Sequence, residues 1–117
     1  MKRLFAAVLL GLMSLNVSAK ISPSNRESHC KNVAEMAESL MESRQNNNLS
    51  IVKNIEIIDE MFKGKKDNAS INTKKVMKAM LIDAYSKPAF MTDEYRQKAV
   101  NDFMAEYYLE CMRQTAR

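Results

Sequence analysis

The 117-residue sequence has no tryptophan, one histidine, two cysteines, two glycines and two prolines, and no long apolar run after Leu15. Each shortage removes a class of chemistry. With His29 as the lone imidazole, a serine or cysteine triad would have to use it. Its neighbour Cys30 would point about 100° away on a helix, a poor geometry for a nucleophile and its base. A di-iron bundle needs Glu-x-x-His pairs on two helices, and no such pair exists. Haem attachment needs Cys-x-x-Cys-His, which is also missing. A membrane-spanning helix needs roughly 20 apolar residues, and nothing beyond the amino terminus approaches that. There is no internal repeat, low-complexity tract or domain linker. These absences lead to the expectation of a non-enzyme with no catalytic residues, no metal site and no cofactor.

What is present begins with an export signal. Lys2 and Arg3 form a positive n-region, and residues 4–15 are apolar apart from Gly11 and Ser14. Val17-Ser18-Ala19 then supplies a cleavage site, with the cut expected between Ala19 and Lys20. The apolar run is too short for an anchor, and no cysteine follows the cleavage point to carry a lipid. The expected organisation is therefore a signal peptide over 1–19 and a helical domain over 20–117, with no transmembrane segment after cleavage. Cleavage removes two bases and no acid, so the whole-chain charge of +4 falls to +2. A nucleic-acid partner loses its main support with that change.

The remaining 98 residues suggest one domain of modest core, for which a covalent staple is useful. Cys30 and Cys111 lie near its two ends. An even cysteine count in an exported chain reads first as a disulfide.

Four helices follow from spacing and punctuation. Ser24 and Glu27 have the form of a capping box. Behind them Cys30, Val33, Ala34, Ala37, Leu40, Met41 and Arg44 recur at helical intervals, predicting a helix over 25–45 that Asn46-Asn47-Asn48 breaks. Ser50 caps a second helix with Ile51, Val52, Ile55, Ile58 and Phe62 inward, and Gly64 stands where a left-handed terminal residue belongs. Residues 64–72 are expected to be a loop. The third helix is expected over 73–85, with Val76, Met77, Met80, Leu81 and Ala84 inward and Pro88 beyond its end. Thr92 caps the fourth, whose inner stripe is Val100, Phe103, Met104, Tyr107 and Cys111. The fold class is then all-α: a small four-helix up-down bundle stapled by one disulfide. In such a bundle the first and last helices are antiparallel neighbours, which brings Cys30 and Cys111 together.

The charged and apolar side chains left over are weighed for chemistry. Glu35, Glu38 and Glu42 share a face, as do Glu106 and Glu110, and both sets read as solvated acidic surface. Met77 and Met80 form a Met-x-x-Met step of the kind copper handlers use, but they fall on the inward stripe and read as core packing. Lys63, Lys65, Lys66, Lys74, Lys75 and Lys78 cluster around the expected loop, a candidate contact for an anionic surface. Phe90 and Met91, ahead of the fourth helix, are candidates for an apolar contact.

Several short segments carry a resemblance: Cys30 opening the first helix, Ser43-Arg44-Gln45 closing it, Asp83-Ala84-Tyr85-Ser86-Lys87-Pro88 ending the third, and Phe103-x-x-x-Tyr107-x-x-x-Cys111 in the fourth. On these the chain resembles small exported helical proteins of Gram-negative bacteria and their prophages. The resemblance implies a periplasmic or secreted helical domain with a terminal disulfide, and it implies no activity. Function is therefore expected to be that of a non-enzymatic binding or regulatory protein of the envelope, acting by protein–protein contact with an envelope partner. The alternative is a periplasmic stress or chaperone-like protein that exploits methionine-rich surface.

Overall fold

The computed structural model describes residues 22–46 and 49–116, so the expected signal peptide and the Ala19–Lys20 cleavage point lie outside the described residues. The described residues form four helices and no strand: α1 (Pro23–Asn46), α2 (Ile51–Met61), α3 (Asn68–Ser86) and α4 (Asp93–Thr115). None of them is long and apolar enough to cross a membrane.

Side chains set most of the boundaries. Ser50, Asp67 and Thr92 accept from the backbone N–H groups of Lys53, Ser70 and Tyr95, satisfying donors that a first helical turn leaves unpaired. Gly64 takes φ +79° just past α2, where the chain reverses. Lys87 is extended, as a residue before proline must be, and α3 stops at Ser86.

Two boundaries differ from the sequence reading. α1 begins at Pro23, with the Ser22 hydroxyl accepting from Asn25 N at 3.3 Å. Ser22, not Ser24, therefore caps it, because proline is pre-shaped for the first helical position. α3 begins at Asn68 and not near 73, because Asp67 caps it and carries helix through a stretch whose Asn and Ser content suggested a loop.

Helix directions are fixed by contacts at the ends. Cys30 in α1 meets Cys111 in α4 at disulfide distance, with Cα atoms 5.5 Å apart, and Gln45 at the other end of α1 meets Phe90 just ahead of α4. Those two helices are antiparallel. The α2–α3 pair is antiparallel too, with Asn54 on Tyr85 at one end and Asp59 on Lys74 and Lys78 at the other. The carboxyl ends of α1 and α3 lie together, where Arg44 reaches the Lys87 carbonyl. The three largest interfaces are α1–α4, α1–α3 and α2–α3. In a square up-down arrangement α1 and α3 would be diagonal. Here they touch, and α2 packs mainly on α3.

The core is the set of stripes facing these interfaces: Cys30, Val33, Ala37 and Met41 of α1, Val76, Met80, Leu81 and Ala84 of α3, and Val100, Phe103, Tyr107 and Cys111 of α4, with Ile58 from α2. Phe103 and Tyr107 pack with their rings tilted at 59° and centroids 5.0 Å apart. Burial of each large apolar side chain contributes about 1.5–3 kcal/mol. Val52, expected inward, is 60% exposed, and Asn54 is buried in its place. Asn54 is held by Ser43 Oγ, which donates to its Oδ1 at 2.9 Å, and by its own donation to Tyr85 Oη at 2.6 Å.

The bridge spans a sequence separation of 81 residues. Removing it by reduction, or in a Cys30→Ala/Cys111→Ala double variant, lowers the unfolding free energy by about 4–5 kcal/mol on the chain-entropy account. Urea denaturation with and without reductant measures this, and identical midpoints would show that no bridge forms in solution.

Candidate functional site

Two surfaces separate themselves from the rest, one at each end of α3. The first is the α3–α4 connection. Its backbone is tied down almost atom by atom by side chains from neighbouring helices. Arg44 donates from Nε and Nη2 to the Lys87 carbonyl at 3.1 and 3.0 Å, with its guanidinium 5.0 Å from the Tyr85 ring centroid. Buried Gln45 works in both directions, donating to the Pro88 carbonyl and accepting from Phe90 N, each at 2.8 Å. Arg96 donates to the Phe90 carbonyl at 2.9 Å. A loop without secondary structure is usually mobile because its backbone groups turn to water. This one is fastened at four of its carbonyl and amide groups.

The fastened loop holds out an apolar side chain. Met91 is 88% exposed, and Tyr95, 56% exposed, lies 6.0 Å from half-buried Phe90 between ring centroids. Beside them is a recess of about 190 Å³ with Met41, Phe90 and Phe103 in its wall and Lys87, Asp102 and Glu106 among its polar lining. Beneath the loop, Tyr107 Oη donates to Asp83 Oδ2 at 3.1 Å, and Lys87 Nζ stands 3.9 Å from Asp83 Oδ1. Burial first, and then the Asp83 charge and hydrogen bond, push the Tyr107 phenol well above its ordinary range, so it remains a donor. This polar pair joins α3 to α4 below the exposed surface.

The second surface lies at the opposite end of α3. Phe62, Lys65, Ser70, Ile71, Lys74, Lys75 and Lys78 line a groove of about 300 Å³. The structure thus brings four of the six clustered lysines to one groove, with Lys63 and Lys66 exposed on the adjoining turn. Lys74 and Lys78 are not free: Asp59 from α2 pairs with them at 3.2 and 2.5 Å. Those two ammonium groups, Lys78 foremost, hold the Asp59 carboxyl below its ordinary value of 3.8. Lys65 sits over the Phe62 ring, 5.8 Å from its centroid.

The other residues singled out in the sequence fall as follows. Met80 is fully buried and Met77 packs against the core. His29 is half-buried, and burial lowers its pKa. Arg44 turns to the loop carbonyl, and Glu35 and Glu42 are exposed. Glu110 pairs with Arg113 at 3.0 Å, and Glu106 is exposed. Gln45, Asp59 and Asp83 hold both surfaces together, a role that the sequence reading gives to none of them. Gln45 continues the 30–34–37–41 stripe by one turn, and that register was the available signal. Comparison of the chain with protein-family models, with curated proteins and with solved structures finds no match.

Gln45→Ala leaves the Phe90 N–H and the Pro88 carbonyl without their partners, at a cost of about 1–3 kcal/mol. Hydrogen exchange at the Phe90 amide should accelerate strongly in this variant, while amides in the middle of α4 change little. Unaltered exchange at Phe90 would show that Gln45 does not hold the loop.

Asp59 gives a pH signature of defined sign. Its folded-state pKa lies below the ordinary value, so its stabilisation is present above that value and lost as pH falls through the lower, folded-state one. Asp59→Asn should lower the melting temperature slightly at pH 7, and the difference from the wild type should close as the pH falls through the folded-state value, below 3.8. A gap that persists at the lowest pH would assign the effect to something other than the ion pairs.

Proposed function

We propose that this chain is a non-enzymatic, exported binding or regulatory protein of the bacterial envelope, and that it acts by protein–protein contact through the Phe90–Met91 loop and Tyr95. The observation that carries the reading is an 88% exposed methionine on a loop pinned by Arg44, Gln45 and Arg96. Exposed apolar side chains are common singly, but a rigid one costs little ordering entropy when a partner covers it. Methionine and aromatic residues are enriched at the centres of interfaces. The adjoining recess offers a partner side chain a place to enter beside its polar rim.

The export part of the reading is supported by the residue 1–19 pattern and by a cysteine pair at disulfide distance, which suits an oxidising compartment. The likeness to small exported helical proteins belongs to the same proposal, as does the description of the scaffold as an up-down bundle. A stapled scaffold with alternating helix directions fits a module whose task is to present a fixed surface. The chaperone-like alternative draws on a different observation, the exposed Val52, Ile57 and Met61 of α2. It requires the α2 face, not the loop, to meet the client.

Replacing Met91 with Asp should abolish recovery of a specific partner from periplasmic extract while leaving the melting temperature unchanged, because the side chain touches little in the fold. Cross-linking followed by mass spectrometry of wild type and Met91→Asp in parallel measures this. Equal recovery by both, or no partner for either, overturns the loop-contact reading. Suppression of client aggregation that survives Met91→Asp but fails in Val52→Asp would favour the chaperone-like alternative.

A further inference from the structure

The tip made by the end of α2, the turn at 62–67 and the start of α3 combines charge of one sign with an apolar floor. Lys63, Lys65, Lys66, Lys74, Lys75 and Lys78 stand there against Asp59, Glu60 and Asp67, an excess of three positive charges. Asp59 engages Lys74 and Lys78, and Glu60 lies 4.0 Å from Lys63. Asp67 is occupied in capping α3. Among the described residues Lys65, Lys66 and Lys75 have no carboxylate within 4.0 Å, and all three are exposed. Phe62 and Ile71 form the apolar part of the groove between them. Ile71 is exposed, as is Met61, which immediately precedes Phe62 at the end of α2.

The kind of cation narrows the partner. Every cation lining this groove is a lysine, and no arginine lines it. A surface that reads oriented carboxylates of an acidic protein favours the planar guanidinium fork, whereas lysines are compact point charges on flexible stems. Such a set suits a diffuse layer of phosphate charge. Exposed apolar side chains beside the lysines complement the boundary between head groups and acyl chains that lies just beneath that layer.

We propose that this tip docks on the surface of an anionic phospholipid bilayer, with Lys65, Lys66 and Lys75 on the lipid phosphates and Met61 and Ile71 entering the head-group boundary. The site is independent of the protein contact proposed above. α3 has 19 residues and is about 28 Å long at 1.5 Å per residue, and the two surfaces sit at its opposite ends. A molecule seated on a bilayer by this tip would hold the Phe90–Met91 loop clear of the lipid.

The absence of native tryptophan permits a local test, because Met61→Trp or Ile71→Trp places a single reporter at the tip. Reporter emission should shift to the blue on vesicles of phosphatidylcholine containing about 30% phosphatidylglycerol and stay unshifted on pure phosphatidylcholine. The shift should weaken as salt is raised. Adding Lys65→Glu, Lys66→Glu and Lys75→Glu should lower partitioning at least tenfold, with the melting temperature retained because all three side chains are exposed. Since the reporter sits at the tip, binding through residues 1–21 would not shift it. No shift on anionic vesicles with either reporter overturns the proposal, as does an equal shift on neutral vesicles or indifference to the lysine reversals. A shift with polyglutamate but not with vesicles would assign the tip to an acidic protein instead. A saturable shift with soluble glycerol 3-phosphate that vesicles do not enhance would assign it to a free phosphate ester.

Discussion

Helix α1 is tied to the distal quarter of the chain at both of its ends, and the remaining structure depends on that double attachment. At one end Cys30 meets Cys111 across the α1–α4 interface. At the other, Gln45 and Arg44 hold the backbone that leads into α4. Between the two ties runs the largest helix–helix interface among the described residues. The same helix packs on α3 with another part of its surface, so α3, and through it α2, is positioned by a partner that is itself fixed. A domain of this size buries a limited share of its surface, and fastening one long helix at both ends compensates by restricting how its other elements can pack.

The polar groups drawn into this framework serve connections between helices. Asn54 joins α1, α2 and α3 through Ser43 and Tyr85, and Asp83 joins α3 to α4 through Tyr107. Gln45 satisfies both a donor and an acceptor of the 87–92 loop. Asn54 and Gln45 are buried polar groups with hydrogen-bond partners distant in sequence, the condition under which such groups specify an arrangement without a large penalty, whereas Asp83 meets Tyr107 with Oδ2 and has only the Lys87 ammonium, 3.9 Å away, beside Oδ1. Groups left over for binding are consequently found at the two ends of α3: an apolar display at one and a cationic groove at the other.

The sequence made the helices legible to the extent that hydropathy follows the 3.6-residue period. The inner stripes of α1, α3 and α4 are read correctly for nearly every apolar member, and the proximity of Cys30 and Cys111 follows from helix order. Reading fails where a polar residue occupies an inward position. Asn54 displaced Val52 because Tyr85 and Ser43 offered it hydrogen bonds that no local pattern announces, and hydropathy alone assigns the β-branched residue to the core. Gln45 lies in register with Met41 but is polar, so hydropathy does not extend the stripe to it. Asp59 neutralises two lysines from another helix, a contact across 15 and 19 residues of sequence, and for that reason the basic cluster looked freer than it is. The α3 boundary erred because asparagine and serine suit both loops and first helical turns, and only the Asp67 cap decides between them.

The separation of Cys30 and Cys111 also bears on the order of events as the chain matures. A polypeptide emerges from its amino terminus, so Cys30 arrives long before the residue it joins, with the rest of α1, all of α2 and α3 and most of α4 between them. No shorter loop is available to the thiol, because Cys111 is its one possible partner within the chain. The bond therefore cannot close before α4 is made, and until Cys111 has emerged Cys30 has no thiol partner within the chain. Once closed, it holds the first and last helices together whatever the helices between them do.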